Sequence, residues 1–187
     1  LRQFKMLCSL FPVHALAIAA ACGGSQSTPT SASSATASAL RDDASLFRLV
    51  SQTDPFARYT LLPNAEEFAT GRLNGSEAHR PIIRVSFNVT AAGALQNGRL
   101  PANTTFPSGS IVFKEIKPSA TAAATLYAVM VKETGNSLAG DGWLWAEYGP
   151  SGSVTYSVNS RGGACISCHR REQGPRNDLV RSFERQQ

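Results

Sequence analysis

The residues best suited to chemistry lie late in the chain, at Cys165-Ile166-Ser167-Cys168-His169. Two thiols separated by two residues can add to both vinyl groups of a haem, while the imidazole that follows reaches the iron. Zinc is the competing cofactor for such a pair. It wants more ligands, and outside the N-terminal leader described below only His79 offers a further nitrogen donor. The spacing therefore points to one covalently attached haem c, held by Cys165 and Cys168, with His169 as the proximal iron ligand.

What such a haem does depends on the sixth iron position. A second strong axial ligand makes an electron carrier, whereas an open position admits small molecules. Of the usual ligand types only His79 and Met130 qualify, and both have ordinary structural readings. His79 sits in a loop before Pro81, and Met130 is a strand residue suited to core packing. Lys114 is the other unusual residue. In Ile111-Val112-Phe113-Lys114-Glu115-Ile116 it shares a strand face with Val112 and Ile116, where a lysine either snorkels to water or lies against a large apolar group. Burial against a haem would disfavour the ammonium form and leave a nucleophilic amine near the porphyrin edge.

These residues need a folded domain to position them, and the chain before it reads as export and tether material. Arg2 and Lys5 precede a mostly apolar run, Met6 to Ala21, that ends in small residues, the pattern of a secretory signal peptide over residues 1–21. The run is short for a membrane span and is interrupted by Pro12 and His14. Ala19-Ala20-Ala21-Cys22 followed by Gly23 resembles a bacterial lipobox, so Cys22 is a candidate for lipidation; the alternative is an ordinary leader cut near Ala21. Both readings predict an exported protein, periplasmic or anchored at the outer membrane. From Ser25 to Ala39 the chain is Ser, Thr, Ala, Pro and Gln, without charge or large apolar residues, which predicts a flexible linker over residues 22–39. Of the four cysteines, Cys8 falls in the leader and Cys22 at its end, so no disulfide framework remains for the domain. The net charge of +5 falls to about +3 when Arg2 and Lys5 leave, a mild excess that gives no argument for nucleic acid.

The domain is expected over residues 40–187. Short helices are predicted at Ala39–Val50 and Asp54–Leu62, the second with Asp54 as N-cap and Pro55 at its first position. Ile83, Val85, Phe87 and Val89 alternate with polar residues in the period of a strand with one buried face. Ala91 to Leu95 carries one or two helical turns. Ile111–Lys117, Leu126–Lys132, Trp143–Tyr148 and Val154–Val158 are further strands, and Gly149-Pro150-Ser151-Gly152 suggests a hairpin. Sequential strands with short links give a predominantly antiparallel sheet. The fold class is therefore α+β, with a C-terminal haem-attachment motif, and the flanking helices at the two ends are expected to cover one face.

The run from Phe106 to Glu115, then Gly142-Trp143, Tyr148 and the Cys165 to His169 motif, resembles the cytochrome P-460 family. The likeness covers roughly Gly75 to Phe183 and includes the strand Arg84 to Asn88. It implies an antiparallel sheet with helices, a five-coordinate haem on His169, and a covalent bond from a lysine, here Lys114, to the porphyrin. Members oxidise hydroxylamine with involvement of nitric oxide, while the related cytochrome c′-beta group lacks the lysine link and binds diatomic gases. Active members place a carboxylate over the open iron face, on the strand after the lysine strand. Here that strand, Leu126 to Lys132, has no acid until Glu133, so proton transfer would fall to Glu133, Glu147, Tyr127 or water. Arg161, Arg170, Arg171 and Arg176 flank the motif, and one or two of them, Arg170 first, are expected to pair with haem propionates. The expected partners are a small nitrogenous or diatomic ligand, an electron acceptor, a membrane if Cys22 is acylated, and a second copy in a homodimer. An electron carrier closed by Met130 or His79, and a gas-binding protein without turnover, are the competing functions.

Overall fold

The computed structural model describes residues 42–61, 69–70, 79–171 and 174–182. The expected leader, Cys22 and the linker lie outside the described residues, as do the outer limits of the family likeness at Gly75 and Phe183. Seven strands form one sheet: β1 (Thr60–Leu61), β2 (Ala69–Thr70), β3 (Ile82–Phe87), β4 (Ile111–Lys117), β5 (Leu126–Lys132), β6 (Trp143–Tyr148) and β7 (Val154–Tyr156). Their order is β1-β3-β4-β5-β6-β7, with β2 also on β3, and every pairing is antiparallel. Among the described residues three short α-helices accompany them: α1 (Asp43–Arg48), α2 (Val89–Gly93) and α3 (Gly163–His169). The domain is thus α+β and predominantly sheet, as the strand periodicity predicts.

Period-two alternation sorts the sheet into two buried faces. Val85, Val112, Met130 and Trp145 face one core, together with Leu179, Val180 and the flank of α3. Phe113, Val129, Leu144 and Tyr148 face the other, under Leu46 and Val50 from the N-terminal helical segment. The two ends of the domain therefore cover opposite faces, not one. The reason lies in the strands themselves. β4, β5 and β6 are apolar on both sides, and each face needs its own cover.

The N-terminal cover begins at Asp42, which accepts from the Ser45 amide at 2.7 Å and closes a capping box with Ser45. A π-helical stretch, Leu49–Thr53, follows. The helix expected over Asp54–Leu62 is only a 3₁₀ turn, Phe56–Arg58; Thr60 and Leu61 instead pair with Phe87 and Ser86. Pairing onto the β3 edge satisfies backbone groups that a marginal four-residue helix extension would leave to water. The alternation of β3 likewise stops at Phe87. Asn88 caps α2 through Oδ1, which accepts from the Ala91 amide at 3.0 Å and the Ile111 amide at 2.9 Å, and this sends Val89 out to solvent at 83% exposure. The predicted turn at Gly149 to Gly152 is present, with the Gly152 amide bonded to the Gly149 carbonyl. β7 ends at Tyr156, two residues short of the expected Val158, which begins a 3₁₀ turn.

Candidate functional site

Helix α3 carries the motif. Cys165 and Cys168 stand three residues apart, so their thiols emerge on one side of the helix. The helix can lie close to the sheet because Gly162, its N-cap with φ of 71°, has no side chain; a Cβ there would collide with the Trp145 ring. Both cysteines are free thiols. Burial, the Glu147 carboxylate and Cys168 push the Cys165 thiol up to about 11, against a hydrogen bond from Tyr156 and the Lys114 cation that lower it.

His169 ends the helix with its ring fixed. Nδ1 lies 2.6 Å from the Leu179 carbonyl oxygen, which can only accept, so Nδ1 carries a proton. Burial first, then the nearby Lys114 cation, lowers the ring pKa to about 3 and keeps it neutral at physiological pH. A neutral imidazole protonated on Nδ1 presents the Nε2 lone pair, the form that ligates iron. The Trp145 ring packs against it in a T-shaped arrangement, with centroids 4.8 Å apart.

These groups open onto a cavity of about 230 Å³ whose other walls come from the sheet and from the segment after α3. Strand register brings Val85, Lys114, Ala128, Glu147 and Tyr156 into one row across β3 to β7. Lys114 and Glu147 are two strands apart, about 10 Å, and the small Ala128 between them leaves room above it. His79 fills the gap. Its Nε2 lies 2.7 Å from Glu147 Oε1 and its Nδ1 lies 3.2 Å from Lys114 Nζ. A carboxylate only accepts, so in the neutral ring Nε2 donates to Glu147 and Nδ1 accepts from Lys114. The three side chains form a directed chain, Lys114 to His79 to Glu147.

The cavity brings together Cys165, Cys168, His169, Lys114, Met130, His79 and Glu147, all of them residues singled out from the sequence. It leaves others out. Glu133 is buried at the end of β5, where desolvation raises its pKa, but it does not line the cavity. Tyr127 points into the opposite core, against Phe113. Arg170 makes a two-pronged bond to Asp141, 2.7 Å on each prong, and is not a lining residue. The lining arginine is Arg181, which donates to the Cys168 carbonyl at 3.1 Å and to its sulfur at 3.2 Å. Sequence reasoning passed over Arg181 because its segment has no periodicity to place it. Glu147 was more accessible. It interrupts the apolar face of Trp143 and Trp145 just as Lys114 interrupts that of Val112 and Ile116.

The donor set fits a c-type haem: two thiols on one helix face, a neutral imidazole with a free lone pair, and apolar walls from Val112, Ala128, Met130 and Val180. Among the described residues no group of three or more His, Cys, Asp or Glu side chains could hold a metal ion by itself. No curated protein matches the chain. A family model described as Cytochrome P460 matches residues 75–181, more than half of it.

Proposed function

The chain belongs to the cytochrome P460 family, which makes it a c-type haem protein, and from that premise we propose that it binds and oxidises small nitrogen species such as hydroxylamine or nitric oxide. The observation that carries this reading is the Lys114–His79–Glu147 chain in the same cavity as His169. Cys165 and Cys168 would hold the haem and His169 would ligate its iron, and the bound group would supply the redox chemistry that hydroxylamine oxidation needs. Glu147 accepts protons from hydroxylamine, and His79 holds its carboxylate toward the cavity. Both side chains are about one-fifth exposed, so those protons have a route to water. The apolar walls limit the number of waters near the site and strengthen each polar contact within it.

His79 has both ring nitrogens engaged, which argues against it as a sixth ligand. Met130 lines the cavity and is the remaining candidate for a carrier. The test is the spectrum and turnover of the purified holoprotein. We expect high-spin five-coordinate haem that shifts on adding nitric oxide, and hydroxylamine-dependent reduction of an artificial electron acceptor. A low-spin spectrum that ignores nitric oxide and becomes high-spin in Met130→Ala would make the protein an electron carrier. Nitric oxide binding without turnover would make it a gas-binding protein.

The reading extends to a single haem with an added bond to Lys114. After acid denaturation and proteolysis, one haem is expected to join the Lys114 peptide to the Cys165 peptide; peptides of separate mass would remove the bond. It also places the protein outside the cytoplasm, free in the periplasm or held on the outer membrane by lipid on Cys22. Haem attachment through two thiols suits that oxidising compartment.

A further inference from the structure

The carbonyl that holds His169 belongs to a segment with unusual backbone geometry. Asp178 and Leu179 both have left-handed φ, 49° and 68°. A leucine adopts that region only where its surroundings impose it. Here the surroundings act through Asp178, which is tied to three separate parts of the domain. Its Oδ1 accepts from Lys132 Nζ, at the end of β5, at 2.8 Å. Its Oδ2 accepts from the Phe106 amide at 2.9 Å, and its backbone carbonyl accepts from Trp143 Nε1, on β6, at 3.0 Å. The Lys132 ammonium also lies 4.9 Å from the centre of the Trp143 ring, so the same cation contacts Asp178 and the indole that donates to its carbonyl. The next residue, Leu179, turns its carbonyl to His169 Nδ1 at 2.6 Å.

We infer that Asp178 is a positioning residue for the iron ligand: fixed by Lys132, Phe106 and Trp143, it aims the Leu179 carbonyl at His169 and so sets the orientation and basicity of the imidazole. The inference rests on the reading of His169 as the proximal ligand. A short hydrogen bond at Nδ1 pushes electron density to Nε2, strengthens the bond to iron and favours the ferric state. The sheet thereby reaches the iron through a residue that does not itself line the cavity. Without the anchor, the Leu179 backbone would relax out of the left-handed region and the hydrogen bond would lengthen.

The experiment measures the iron–histidine stretching band of the ferrous holoprotein by resonance Raman, with the midpoint potential, in wild type and two variants. Asp178→Asn keeps the acceptor for the Phe106 amide but loses the charge that holds Lys132. Trp143→Phe removes the donor to the Asp178 carbonyl while leaving the Asp178 carboxylate and an aromatic ring in the core, so it serves if Asp178→Asn fails to fold. The expected result is a downward shift of the band and an upward shift of the potential in each folded variant. A band and potential equal to wild type in folded variants would overturn the inference alone. Wild-type protein with haem but no iron–histidine band would overturn the ligand assignment and this inference with it.

Discussion

Replacing Glu147 by glutamine is expected to slow hydroxylamine oxidation by about 10²–10⁴-fold, the usual range for losing a positioned general base. Glutamine has nearly the same shape, and its carbonyl oxygen still accepts from His79 Nε2, so the cavity keeps its form. What it lacks is the capacity to take a proton. Haem attachment and nitric oxide binding are therefore expected to survive, because neither requires proton removal at this position. Steady-state turnover with an artificial acceptor, beside a nitric oxide titration of the same sample, separates the two effects. Glu133→Gln is the control: Glu133 lies outside the cavity lining and its replacement should leave turnover within a few-fold of wild type. A Glu147→Gln variant that turns over as fast as wild type would leave the chain of Lys114, His79 and Glu147 a structural feature only.

The Glu147 case also measures how far the amino-acid sequence reveals this site. Cys165, Cys168 and His169 are legible because their chemistry is local: seven residues of helix suffice to set the spacing. Lys114 is legible because a charge on an apolar strand face breaks a period-two pattern. Glu147 obeys the same rule, but an expectation that the carboxylate follows on the next strand directs attention to β5. There the position facing Lys114 is Ala128, and the acid stands one strand further on. Only the register connects them. A shift of one residue between β5 and β6 would turn Glu147 to the opposite core. His79 and Arg181 are harder still, since both enter the cavity from irregular segments whose course is set by packing of the whole domain. For the same reason Arg170, nearest the motif in sequence, is engaged by Asp141 outside the cavity, while the more distant Arg181 reaches the Cys168 sulfur.

The fold divides along the same line. Strands β3 to β6 follow from alternation and β-rich composition, both properties of a short window. The covering of two faces follows from neither. It requires recognising that β4 to β6 are apolar on both sides, so that a single layer of helix would leave one core exposed to water. At about 1.5–3 kcal/mol for each fully buried large apolar side chain, leaving Leu144, Val129 and Phe113 uncovered would cost a large part of a domain's net stability. Helix α1 supplies that cover and is held in place by Asp43. Its carboxylate accepts from Ser157 Oγ and the Val158 amide, at 2.7 Å each, and its carbonyl accepts from Tyr148 Oη at 3.0 Å.

The second large effect concerns the buried pair that anchors the cavity's other wall. Lys132→Met is expected to lower stability by about 3–5 kcal/mol, the cost of leaving a buried carboxylate without its cation. Both side chains are only 9% exposed, so water cannot replace the lost ammonium. Methionine fills much of the lysine stem's volume, so the loss is one of charge rather than packing. Asp178 keeps the Phe106 amide as its donor, which holds the expected cost below that of an entirely isolated charge. Adding Asp178→Asn to the same chain removes the stranded carboxylate and is expected to recover a substantial part of the loss. Denaturant midpoints of the wild type, both single variants and the double variant give the coupling energy directly. If the two single losses simply add in the double variant, the pair contributes nothing as a pair. If they are strongly coupled, as the 2.8 Å contact predicts, the residue that aims the Leu179 carbonyl is also one on which the folded state depends. The hydrogen bond that orients His169 then cannot be loosened at Asp178 without weakening the domain that carries it.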